Sequence, residues 1–432
     1  MTIHIEKLVF GGQGLGHLEN GQAVFVWNAL PDEIVEIDII KKKKDYREAI
    51  ATNIIHTSPY RIDAYDDHFL STSPWQIMHY DAEQNFKKDI AIETYKKIGG
   101  NIFSTIDPDI IFPEQQYDYR NKIEFSFCDK NFERDTDEED ISFAFFNRGG
   151  RSRFPVQTSK LASPPINQTA HYILDWIQTE HIPKRSLKTL IIRSNQAGET
   201  ISALFIKDEL TFHTYPKLTD TMKGFQIYYS THKSPASVPT KLLYSIGQDY
   251  LIEEISSSST KLKYGLLSFF QVHIPIFQKA LEDIADYIPE NADLIDFYSG
   301  VGSIGLPLAD KCKTLTLVDN NEEAIHYATE NIMLNTIDHA QAHCIPAEKI
   351  TDIITAEKTI ILDPPRAGLH SDVIKKLLQE TPRTIIYLSC NISTQARDIA
   401  LLSKKYSISF SRLYNFFPRT PHIEGLTILK KH

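Results

Sequence analysis

Leu294-Ile295-Asp296-Phe297-Tyr298-Ser299-Gly300-Val301-Gly302-Ser303-Ile304-Gly305 reads as a buried strand that ends beside an acid and opens into a glycine-rich turn feeding a helix. In open α/β sheets, ligands bind at such carboxyl ends of strands. Gly300 and Gly302 let backbone approach a ligand where a Cβ would obstruct it. The glycines alone do not name that ligand, because nicotinamide and flavin enzymes use similar turns. The next apolar run, TLTLVD, ends in Asp319, 23 residues after Asp296, where a carboxylate suits a ribose diol. At this point dehydrogenase and methyltransferase are both open.

Further downstream, Ile360-Ile361-Leu362-Asp363-Pro364-Pro365-Arg366 puts an acid and two prolines at a third strand end. Prolines lack N–H groups and fix the chain, so they hold a stiff loop beside the ligand. A dehydrogenase has no obvious use for that loop. The fourth run, Thr384 to Ser389, delivers Cys390 to the same edge, followed by Asn391. A buried cysteine is usually inert core, but this one sits among polar neighbours at the mouth of the expected pocket. Helix-like NEEAIHYATENIMLN and SDVIKKLLQE lie between the runs, so the alternation predicts a Rossmann-like, doubly wound sheet over 263–432.

Upstream the rhythm differs, and the 432 residues call for more than one core. Residues 1–58 read as a small β-barrel of alternating strands broken by glycine turns. Gly11, Gly12, Gly14 and Gly16 precede a strand rather than a helix, so they predict a tight turn and not a phosphate cradle. Residues 59–108 read as a connector plus a helix opening after Asp81 as N-cap and stopping at Gly99-Gly100. Residues 109–262 read as a central α+β domain, with an acidic loop NFERDTDEED and a Ser-rich boundary EEISSSSTKLKYG.

Composition narrows the function classes. No stretch of about eighteen uncharged apolar residues predicts a membrane span, and MTIHIEKLVFGG lacks the pattern of a secretory leader. The scattered Cys128, Cys312, Cys344 and Cys390 contain no C-x-x-C pair, which disfavours a zinc site or disulfide scaffold and suits the cytoplasm. Net charge is −10, yet phosphate binding depends on local patches. Lys41, Lys42, Lys43 and Lys44 with Arg47 form one; Arg148, Arg151, Arg153 and Lys160 around Phe146 and Phe154 form another. For either patch taken alone, a solvated face is the plainer reading and an RNA contact the sharper one.

ILDPPRAGLH, YLSCNISTQARDI and FFPRTPHIEGLTIL together resemble the RNA uracil-5 methyltransferases. SFFQVH around Gln271, YRNKIEFSF and FAFFNRGGRSR also fit, and the first sixty residues are similar to the RNA-binding TRAM module. The resemblance implies methylation of uridine carbon 5 in RNA with S-adenosylmethionine as donor. It makes Cys390 the nucleophile and Glu424 the base. It assigns the donor site to Gln271, Tyr298, Gly300, Gly302, Asp319 and Asp363, with Asp363 shared between donor and uracil. Arg120, Lys122, Arg366 and His422 are RNA candidates; a loop salt bridge stands level with RNA contact for Arg366, and a structural histidine is the plainer reading at 422. The barrel points towards ribosomal rather than transfer RNA, and a monomer is the default.

Two departures matter. Many relatives carry four cysteines for an iron–sulfur cluster, but HFLSTSPWQIMHYDAEQNFK and QTSKLASPPI have none, so no cluster is expected and Phe69, Trp75 and Met78 are candidates to fill the space. HCIPAEKI departs from the common adenine-pocket pattern, leaving backbone near Ala347 and Glu348. A cytosine-5 enzyme would carry a cysteine in the proline loop, and an amino-methylating enzyme an aromatic where Arg366 stands. A catalytically inactive RNA chaperone is the remaining alternative, and Cys390 with Glu424 argues against it.

Overall fold

Continuous apolar runs form strands covered on both faces, and the C-terminal half follows that rule. In the computed structural model, which describes residues 1–130, 140–235 and 237–432, five parallel strands lie side by side. Their order is Ala340–Cys344, Cys312–Asp319, Ala292–Phe297, Thr359–Leu362 and Thr384–Ser389. Successive residues point to opposite faces: Leu294, Ile361 and Ile386 enter one hydrophobic cluster, and Ile295, Ile360 and Ile385 enter the other. Strand order reverses between Ala292–Phe297 and Thr359–Leu362, which creates the crevice in which such sheets bind ligands.

The sheet does not stop there. Glu424–Lys431 adds antiparallel to Thr384–Ser389, Tyr406–Tyr414 pairs with it, and Asp109–Ile111 closes the edge. The short strand 109–111 therefore belongs to this sheet and not to the central domain in which it was expected. Three residues carry too little pattern to reveal that. The glycine turn also differs from expectation. It leads into a 3-10 helix, Leu306–Lys311, because only six residues separate the turn from the next strand at Cys312.

The central seven-stranded sheet runs from Arg153–Val156 through Lys122–Asp129 and Leu187–Ser194 to Lys241–Gly247, with helix Pro164–Thr179 packed on its core. The Ser-rich segment is no boundary. It is the tip of a hairpin, Tyr250–Ile255 with Thr260–Gly265, whose Leu251, Ile255, Leu262 and Tyr264 enter the same cluster as Leu294 and Ile361. Apart from Asp140, the acidic NFERDTDEED segment lies outside the described residues.

At the N-terminus, a six-stranded sheet surrounds its own cluster of Ile3, Val24, Val26, Val35 and Ile37. Gly11 and Gly12 form a turn at φ +98° and +94°. The connector helix, Tyr80–Thr94, begins one residue before the predicted cap: His79 occupies the cap and Asp81 lies in the first turn. Trp75, Met78 and Ile90 join the cluster that includes Ile295 and Tyr387, and Phe69 packs against it. No described helix is long and apolar enough to cross a membrane.

Candidate active site

Four strand ends meet at one cavity of about 370 Å³. Gln271, Tyr298, Gly300, Asp319, Asp363, Cys390 and Glu424 all line it. The turn after Ala292–Phe297 is fastened at both ends. Asp319 accepts the Gly300 N–H at 2.9 Å and the Asn321 N–H at 2.9 Å, and buried Asp296 accepts the Gly305 N–H at 2.9 Å. Tyr298 holds a left-handed φ of +64°, an uncommon conformation for a bulky residue that the surrounding turn must enforce. An added Cβ at Gly300 would meet nothing within 4 Å, so this backbone faces open space.

Gly302 has a different reason to be glycine. It does not line the cavity; a Cβ there would lie 2.5 Å from Leu306, and its φ is +88°. The expected ligand contact is thus a packing constraint.

The proline loop is tied to the cysteine strand end by residues downstream of Cys390. Asn391 caps helix Ile392–Leu402 and donates its Nδ2 to the Arg366 carbonyl at 2.9 Å. Thr394 donates to the same carbonyl at 3.2 Å, and Arg397 to that of Ala367 at 3.0 Å. Buried Asp398 accepts from the Leu369 N–H and the Tyr387 hydroxyl, at 2.8 and 2.9 Å. The string Asn391, Thr394, Arg397 and Asp398 is one fastening for the loop, a role their positions in sequence did not disclose.

Cys390 and Glu424, 34 residues apart in the chain, continue the antiparallel pairing of Ser389 with Gly425. Burial, reinforced by the Glu424 and Asp363 charges, pushes the Cys390 thiol up to about 11 against the pull of Arg366. Burial pushes Asp363 up to about 7 and, with Asp363 beside it, raises Glu424 well above the usual carboxylate range. The site therefore tends to hold protons at neutral pH. One thiol and two carboxyl groups in one cavity can exchange a proton with a bound ring.

The remaining candidates lie outside this cavity. Arg366 is exposed, and no ion pair among the described residues holds it within the loop. His422 is exposed with its ring edge-on to Phe417 at 5.5 Å. Arg120 and Lys122 line a second cavity of about 270 Å³ with Ser71 and Phe145, and burial pushes Lys122 down to about 8. Ala347 and Glu348 line neither. The Arg148 patch is only partly an open basic face: Arg151 and Arg153 are exposed, whereas Arg148 and Lys160 are half-buried and engaged. Arg148 stacks 3.9 Å over Trp27 and donates to the Leu70 carbonyl, Arg153 covers Phe146, and Lys160 pairs with Asp118 at 2.7 Å. Trp27 is remote in sequence, so nothing local warned of that stack. Phe269, 68% exposed, also lines the cavity; nothing in SFFQVH distinguishes it from its buried neighbour Phe270.

The sequence model of the tRNA (uracil-5-)-methyltransferase family matches residues 99–432. The chain belongs to that family. The TRAM domain model matches residues 1–52 of the methyltransferase. An uncharacterized RNA methyltransferase of Fusobacterium nucleatum is 29% identical, covering 100% of this chain and 96% of the relative. One from Aquifex aeolicus is 27% identical over 100% and 98%. The crystal structure of Pyrococcus abyssi tRNA (uracil-54, C5)-methyltransferase in complex with S-adenosyl-L-homocysteine superposes with a TM-score of 0.80. It is 22% identical and covers 99% of this chain and 100% of that one. The methyltransferase thus shares that fold over nearly its whole length.

Proposed function

We propose that the enzyme methylates carbon 5 of an RNA uridine with S-adenosylmethionine as donor, Cys390 as nucleophile and Glu424 as base. The observation that carries this is Cys390 and Glu424 side by side in a cavity whose far wall is Gly300, Asp319 and Gln271. The residues fit the donor: Asp319 suits a ribose diol, and the buried Ser299 Oγ lacks a hydrogen-bond partner among the described residues. Bound there, the donor supplies an electrophilic methyl group. Cys390, ionised to the thiolate, adds through sulfur to carbon 6, which makes carbon 5 nucleophilic. Once carbon 5 is methylated, Glu424 in its carboxylate form removes the carbon-5 proton and the thiolate is expelled. Asp363, between the two walls, is available to either ligand. Arg366 and His422, exposed near the mouth, are our RNA-contact candidates, with Arg120 and Lys122 farther along.

The target base must leave any helical stack to enter the cavity, so single-stranded segments are the natural substrates. The N-terminal barrel favours ribosomal RNA; the Pyrococcus abyssi neighbour, named for uracil 54 of tRNA, favours transfer RNA. Methylation assays on both RNAs choose between them. The reaction itself is tested with RNA containing 5-fluorouridine plus donor. A denaturant-stable protein–RNA adduct is expected in wild type and not in Cys390→Ala; an adduct that survives this substitution rejects the assignment.

A further inference from the structure

The segment 415–423, which delivers Glu424 to its strand, is held from behind by a buried ion pair on the connector helix. Glu83 and Lys87 stand one turn apart with 3.0 Å between their charged atoms, and neither side chain is exposed. Lys87 Nζ donates to Asn415 Oδ1 at 2.6 Å and to the Phe417 carbonyl at 3.1 Å. Glu83 accepts from Asn415 Nδ2 at 3.1 Å and, through both oxygens, from the Arg419 N–H at 3.1 Å.

Neighbouring residues complete the seat. Arg419 has a left-handed φ of +64°, and its Nη1 donates to the Met78 carbonyl at 2.7 Å. Trp75 donates from its N–H to the Arg419 carbonyl at 3.1 Å and from Nε1 to the Gly12 carbonyl at 3.0 Å. Gly12 is packed so tightly on Pro421 that a Cβ would sit 2.3 Å from it. Connector and barrel therefore grip the segment just before Glu424.

A buried ion pair is a poor way to gain stability, because desolvation offsets most of its attraction and apolar packing of equal volume does as well. Its directional hydrogen bonds do something apolar packing cannot: they select one conformation of the segment they hold. We infer that Glu83 and Lys87 are positioning residues that set the reach of Glu424 to carbon 5. This rests on the reading of Glu424 as base. In the affected step Glu424 takes the carbon-5 proton, and the C–H electron pair becomes the C5–C6 double bond. The C6–S bond breaks, and Cys390 leaves as thiolate. Addition of Cys390 and methyl transfer precede that step and do not use the Glu424 carboxylate.

The test compares the full-length wild type with the double variant Glu83→Gln/Lys87→Met, which keeps volume and removes both charges. If the pair positions the base, the variant forms the 5-fluorouridine adduct at the wild-type rate. On ordinary uridine RNA its turnover falls about hundredfold, the scale of a 1 Å misplacement, and a methylated, denaturant-stable adduct accumulates. Turnover and fluorouridine trapping that fall together mean a purely structural pair and overturn the inference, as does unchanged turnover. Should the double variant not fold, Lys87→Met alone, with Arg419 still beside Glu83, is read by the same outcomes. A wild type that traps no fluorouridine RNA overturns the underlying reading, a distinct result.

Discussion

Protonation governs the residues around the cavity. With Cys390 pushed up to about 11, the thiolate fraction grows roughly tenfold per pH unit across the neutral range. We expect kcat/KM to rise with pH between 6 and 9 on a fixed RNA; a flat profile contradicts thiolate formation in this environment. Asp363 offers a second test. Its folded-state value of about 7 exceeds that of an unfolded aspartate, so folding takes up a proton and stability is lost as pH rises from about 4 through 7. Asp363→Asn removes that loss. Its gain in Tm over wild type should increase from pH 5 to pH 7.5 and then level off, measured by thermal melts. Glu424→Gln should lower turnover about 10²- to 10⁴-fold, while the 5-fluorouridine adduct still forms.

At the scale of elements, the two glycines of the donor turn part company. Gly302→Ala meets Leu306 at 2.5 Å and keeps an unfavourable φ, so it should cost about 1–3 kcal/mol in denaturant unfolding. Gly300→Ala enters open space and should cost only about 1–2 kcal/mol for its φ of +54°, with donor binding as the sensitive readout. Both looked alike in sequence because spacing shows where a turn falls and not what faces it. The parallel strands were legible because runs such as Ile360 to Leu362 must be buried on both faces. The antiparallel return of Glu424–Lys431 and the edge strand 109–111 were not, since their partners are distant in the chain. The hairpin at 250–265 was misread because its Ser-rich tip mimics a linker, although Thr260–Gly265 buries alternate residues. Cys390 stood out at the end of the fourth apolar run and Glu424 only through resemblance; the ties from Asn391 to Asp398 needed coordinates.

Across the whole molecule, positive charge is more local than composition suggests. Lys41 pairs with Glu48 at 2.7 Å, while Lys42, Lys43 and Lys44 are exposed at the far end of a barrel strand. Changing these three to glutamate should weaken RNA binding and flatten its dependence on log salt by about one unit for each phosphate no longer neutralised, read from binding at several ionic strengths. Arg148→Ala should instead loosen the barrel by removing its stack on Trp27, with little change in that slope.

Cys390 and Glu424 adjoin the last pair of two antiparallel strands, Ser389 with Gly425, and that makes the enzyme's tolerance of insertions lopsided. Chain added to the turn between helix Ile392–Leu402 and strand Tyr406–Tyr414 changes a loop length and leaves the pairing of Ser389 with Gly425 untouched. A single residue slipped into Glu424–Lys431 turns every later side chain to the opposite face. Surviving length variants should therefore accumulate in that turn and be purged from the strand.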